Sequence, residues 1–128
     1  MKLFPAKNVD YQKVDPEHFT GEASVGRVFG PDQGGEARIY RVCFQPRART
    51  DWHIHTGLQL LYVEEGKGRV QKVGEEVLEI GPGDTVCVRP GEKHWHGASP
   101  EEPMTHLAIN VGGRTEWMNK VTEEEYSQ

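Results

Sequence analysis

Basic clusters are missing from this chain of 128 residues, whose net charge is −5. Proteins that bind nucleic acid present a basic stripe that neutralises phosphates, so the lack of one argues against such a partner. It also fits poorly with docking to an anionic membrane surface. No apolar run approaches the ~20 residues needed to cross a bilayer. Met1-Lys2-Leu3-Phe4-Pro5 lacks the long apolar segment of a secretory signal. Cysteine is scarce: Cys43 and Cys87 stand apart, each inside an apolar strand-like run, and read as buried free thiols rather than a disulfide or metal pair. The expected setting is the cytoplasm, with a small molecule as partner.

Internal repeats and interior linkers are also lacking, and the length suits one domain with one core, residues 1–128. Glycine and proline are plentiful. Fifteen Gly and eight Pro, scattered without period, point to many tight turns and so to many short strands. From Met1 to about Val14 nothing is strongly periodic, and this part is expected along an edge. Asp15-Pro16-Glu17-His18 reads as a helix start, with Gly21 ending it and His18 at the surface. Beyond Gly34-Gly35, Ala37 to Phe44 alternates as a strand, with Tyr40, Val42 and Phe44 on one face and Ile39, Arg41 and Cys43 on the other. Further strands are expected at Trp52–His55, Leu58–Glu64, Arg69–Val73, Val77–Ile80, Thr85–Val88, His94–His96 and Met104–Val111. Gly74-Glu75 marks a hairpin. Thr122 and Glu125 fit a capping box, with Val121 placed to staple against Tyr126, which predicts one short C-terminal helix. This spacing of strands and turns indicates an all-β sandwich or barrel.

Five of the six histidines fall inside three of these stretches: His53 and His55, His94 and His96, and His106. Residues two apart on a strand share a face, so each His-x-His pair projects two imidazoles side by side. Gln59, four past His55, keeps the same parity and can add an amide oxygen. One strand histidine is ordinarily a core or surface residue; two such pairs and a third strand histidine indicate a metal site. Imidazoles with an amide oxygen and no cysteine exclude Fe–S chemistry and disfavour Cu(I), leaving Mn, Fe, Ni, Zn and Cu(II). Three or four protein ligands would leave positions open for water or substrate, as catalytic sites do. His96, facing the same way as His94 but beside the metal, and His106 are the groups suited to acid–base work near neutral pH.

These residues resemble the two motifs of the cupins. His53, His55, Gln59 and Gly66 match the first; Gly83, Asp84, Gly91 and His94 match the second. Three positions depart from the pattern: Gln59 replaces the usual glutamate, Pro90 sits one place late behind Arg89, and Ala98 replaces an asparagine. The resemblance implies a small double-stranded β-helix (jelly-roll) barrel, its core at about residues 37–112, with the metal held by His53, His55, Gln59 and His94. An amide in place of a carboxylate leaves the ion its full charge, which makes it a better Lewis acid and a looser guest.

Longer strings narrow the resemblance: Ala48-Arg49-Thr50, the run from Pro90 to Ala98, Met104 to Ile109, Trp117, Val121-Thr122 and Glu125-Tyr126. They are similar to the small manganese-dependent cupins that include bacterial hydroxynitrile lyases, over roughly Arg47 to Tyr126. That resemblance implies cleavage of a cyanohydrin to a carbonyl compound and HCN, with Mn(II) as cofactor (Fe, Ni and Zn open) and a homodimer. His96 or His106 moves the proton, Thr50 is a hydrogen-bonding partner, and Tyr40, Val42 and Asn110 line the pocket. The alternatives on this scaffold are a cupin dioxygenase and a non-enzymatic module that binds a small ligand or metal.

Overall fold

A computed structural model describes residues 1–31 and 35–128, so Gly34 of the expected Gly34-Gly35 break lies outside the described residues. After a 3-10 turn at Ala6–Asn8 come β1 (Tyr11–Lys13), β2 (Phe19–Thr20), β3 (Ala23–Phe29), β4 (Arg38–Phe44), β5 (Arg49–Thr50) and β6 (His53–His55). Then follow β7 (Leu58–Gly66), β8 (Gly68–Lys72), β9 (Leu78–Ile80), β10 (Thr85–Val88) and β11 (His94–Ala98). The chain ends with β12 (Met104–Val111), β13 (Thr115–Trp117) and the helix α1 (Glu123–Tyr126).

The strands form two antiparallel sheets of a jelly-roll barrel. One runs β1-β3-β4-β12-β7-β10; the other runs β13-β6-β11-β5-β2, with β8 pairing β11 and β9 pairing β8. Register fixes what faces the interior. Across β4, β12 and β7, Arg38, Asn110 and Gln59 share one row, Tyr40, Ala108 and Leu61 the next, and Val42, His106 and Val63 a third. The apolar end of the interior holds Phe44, Ala48, Val63, Val70, Ala98 and Met104, all buried. Burying one such large side chain contributes ~1.5–3 kcal/mol. The polar row lies at the other end, and that is where the histidines gather.

β11 is buried at every residue. Its inward positions carry His94 and His96; its outward Trp95 is covered by the C-terminal segment, where Trp52, Val121 and Tyr126 close over it. Both halves of the expected capping box form, Glu125 N donating to Thr122 Oγ1 and Thr122 N donating to Glu125 Oε1.

Two expectations fail. Asp15 does begin a turn, its side chain accepting from Glu17 N, but no helix follows. Phe19 and Thr20 instead pair with Thr50 and Arg49 as an edge strand, a tertiary pairing that overrides local helix signals. The cysteines are free but not buried: Cys43 is half-buried and Cys87 exposed. Cys43 alternates with the inward Val42 and Phe44, so its side chain falls on the outer face.

Candidate metal centre

The four histidines of the two pairs meet because β6 and β11 are neighbours, with His53 opposite His94. Ring centres lie 4.2 Å apart for His53 and His94, 5.0 Å for His53 and His55, and 5.4 Å for His55 and His94. Gln59 arrives from the next strand, as expected. The chain leaves β6 after His55, turns at Thr56-Gly57, and brings Gln59 in on β7 of the facing sheet. Its Oε1 sits 3.1 Å from His94 Nε2. The sequence-predicted ligands His53, His55, Gln59 and His94 are thus one buried group. His96 joins it more closely than expected: nitrogens of His53, His94 and His96 all lie within 4.8 Å of one another.

Hydrogen bonds settle which nitrogen each ring offers. His53 Nδ1 donates to Asp51 O at 2.8 Å and His94 Nδ1 to Glu92 O at 2.9 Å, which leaves both Nε2 atoms as lone-pair donors to an ion. His55 Nδ1 meets Thr115 Oγ1 at 2.9 Å, and its Nε2 is buried with no hydrogen-bond partner among the described residues. Burial holds the imidazoles neutral. It keeps His53 well below the usual histidine value, with the neighbouring His94 and His55 adding to the effect. His55 is pushed down to about 4, chiefly by burial and then by His94. His94 is lowered by burial.

The fit to a cation follows from the contact between Gln59 and His94. With His94 Nδ1 committed as a donor, its Nε2 is an acceptor, and so is the Gln59 oxygen that faces it. Two lone pairs converging at 3.1 Å suit a positive ion between them. Neutral imidazoles and an amide oxygen are ligands for a borderline divalent metal.

His106 lies further in. Its Nε2 and His96 Nδ1 share a proton at 2.9 Å, while His96 Nε2 and His106 Nδ1 are buried without a partner among the described residues. Both are held neutral, His96 well below its usual value by burial and then by His106, and His106 down to about 4 by burial. A cavity of about 470 Å³ opens beside the cluster. His53, His55, Gln59, His96, Thr50, Tyr40, Val42 and Asn110 line it, but His106 does not. His106 therefore reaches the cavity only through His96. The Thr50 hydroxyl accepts from the His96 backbone N–H at 3.2 Å, so it fixes the strand and not the ring.

His18, Phe19, Arg38, Thr115 and Trp117 also line the cavity. His18, expected at the surface, is half-buried and stacks on Trp117 at 4.5 Å, and Trp117 lies 4.7 Å from His53. No spacing in the sequence links these residues.

A cupin domain model matches residues 40–110. A curated (R)-mandelonitrile lyase from Granulicella tundricola is 45% identical over 117 residues, covering 89% of each chain. A cupin-like protein from Thermotoga maritima superposes with a TM-score of 0.84 at 40% identity, again over 89% of each chain. The polyketide cyclase RemF from Streptomyces resistomycificus shares the fold, with a TM-score of 0.74 at 20% identity over 99% of this chain and 91% of its own.

Proposed function

The chain belongs to the cupin family, and from that premise we propose that it is a divalent-metal lyase that cleaves cyanohydrins to an aldehyde or ketone and HCN. The observation that carries the metal is the convergence of His94 Nε2 and Gln59 Oε1, two acceptors, beside the unpartnered Nε2 of His55. The likeness to a mandelonitrile lyase supports the choice of reaction. His53, His55, Gln59 and His94 hold the ion, Mn(II) first among Mn, Fe, Ni and Zn. Bound there, the ion supplies Lewis acidity to a hydroxyl or carbonyl oxygen.

The chain's own residues handle the proton. His96 lines the cavity, its Nε2 has no partner among the described residues, and we place the shared proton on Nδ1, donating to His106 Nε2. Nε2 takes the substrate hydroxyl proton as the carbonyl forms and the bond to the nitrile carbon breaks. The electron pair leaves with cyanide, and His96 returns the proton to it as HCN. His106 orients His96 and stabilises its charged form, since a ring that gains a proton at Nε2 donates more strongly from Nδ1. Tyr40, Val42 and Asn110 flank the substituent. A homodimer is the assembly we assign from the family.

The test is cleavage of mandelonitrile by Mn(II)-loaded protein, followed by release of benzaldehyde. His96→Ala is expected to lose ~10²-fold or more in turnover with metal content unchanged, the usual weight of general acid–base catalysis. His106→Ala should lose less. Full activity in both variants would remove the proton-transfer assignment, and a metal-loaded wild type that leaves mandelonitrile intact would remove the lyase reading.

A further inference from the structure

One lysine fastens the rim of the cavity to a ligand of the metal centre. Lys120 Nζ lies 3.1 Å from Asp51 Oδ1 and donates to the backbone carbonyls of Pro16 at 2.6 Å and Phe19 at 3.1 Å. The ammonium group thus donates to two carbonyls and pairs by charge with the buried carboxylate. Asp51 is itself a junction. Its N–H donates to His18 O at 2.9 Å, its carbonyl accepts from His53 Nδ1 at 2.8 Å, and its carboxylate, 3% exposed, faces Lys120. The turn that Lys120 grips carries His18 and Phe19, both on the cavity wall.

We propose that Lys120 is a positioning residue that acts through Asp51 on the His53 imidazole and, through the carbonyls of Pro16 and Phe19, on the wall of the cavity. The proposal rests on the metal-dependent reading above. A buried carboxylate deprived of its cation turns toward water, and that movement shifts the backbone at residue 51. The carbonyl there is what aims the His53 ring. Lys120 is half exposed, so its removal leaves no hole in the core. Partners that orient metal-binding histidines in this way typically change metal affinity by ~10–100-fold when lost.

Mn(II) affinity, read by calorimetry without substrate, tests the idea. Lys120→Met is expected to weaken Mn(II) binding by about tenfold and to raise KM for mandelonitrile more than it lowers kcat. Lys120→Arg, which keeps charge and donors, should recover most of the affinity. Asp51→Asn should weaken Mn(II) binding as Lys120→Met does, and serves if that variant fails to fold. Thr122→Ala is the control: it removes the cap of α1 two residues away and costs stability, but touches neither Asp51 nor the rim. Wild-type affinity in Lys120→Met, or an equal loss in Thr122→Ala, would overturn the proposal. A wild type that binds Mn(II) without turning over mandelonitrile would sink the lyase reading while the affinity series still decided the role of Lys120. A wild type that binds none of Mn(II), Fe(II), Ni(II) and Zn(II) would end both.

Discussion

Gln59 is the proposed ligand at which one atom separates two chemistries. Its amide oxygen faces His94 Nε2 at 3.1 Å and brings no negative charge. Gln59→Glu would add a charge-assisted ligand and cancel part of the ion's charge, so Mn(II) binding should tighten by about tenfold while cyanohydrin cleavage slows by a comparable factor. Calorimetry and steady-state kinetics on one preparation check the two halves together. The neutral histidines make a second prediction, for the metal-free protein. His55 and His106 are held down to about 4 against an ordinary histidine value of 6.5. Between those two values the unfolded chain binds protons that the folded chain refuses. Stability therefore falls as pH drops from 6.5 toward 4, by up to ~1.4 kcal/mol per pH unit for each such histidine. Urea denaturation at pH 7, 6 and 5 should show that slope, and His106→Asn should reduce it by about one proton's worth. An unchanged slope would mean that His106 is already charged in the folded protein.

At the scale of the element, strands with an apolar pattern of their own were legible and strands without one were not. β4, β7 and β12 alternate because their inner residues pack the barrel, and alternation is what a sequence displays. β3 carries Gly26 and β1 is exposed at all three residues, so neither shows a pattern of its own; each is a strand because a neighbour pairs with it. β13 likewise takes its form from pairing with β6. The same division runs through the site. His53, His55, His94 and His96 could be found by their spacing, since a separation of two places both side chains on one face. His18, Trp117, Asp51 and Lys120 come together only because the chain closes on itself, and no local signal marks that. Gly66 shows an element fixed by a single atom. It has φ 79°, and a Cβ there would stand 1.9 Å from Pro103 O. Gly66→Ala must displace the start of β12, the strand that carries His106, and should cost upward of ~3 kcal/mol, the range of mutations that force backbone strain. A thermal midpoint close to wild type would show that the turn has another solution.

For the molecule as a whole, the proposed metal centre is a liability that a bound ion would turn into a support. The barrel buries five imidazoles at one place, and among the described residues three of their nitrogens, on His55, His96 and His106, have no hydrogen-bond partner. A buried polar group without a partner costs on the order of 1–3 kcal/mol. An ion that binds the folded chain and not the unfolded one repays that cost by mass action, adding ~2.7 kcal/mol when its concentration is a hundredfold above Kd. In a protein of this length that is a rise in melting temperature on the order of 10 °C. Protein stripped with a chelator should accordingly melt lower, and its midpoint should climb with the logarithm of added Mn(II). His53→Ala should abolish the climb, because His53 belongs both to the expected ligand set and to the group of ring nitrogens within 4.8 Å of one another. His96→Ala should leave the climb intact, since His55 and Gln59 complete the proposed site; a flattened climb would make His96 itself a ligand.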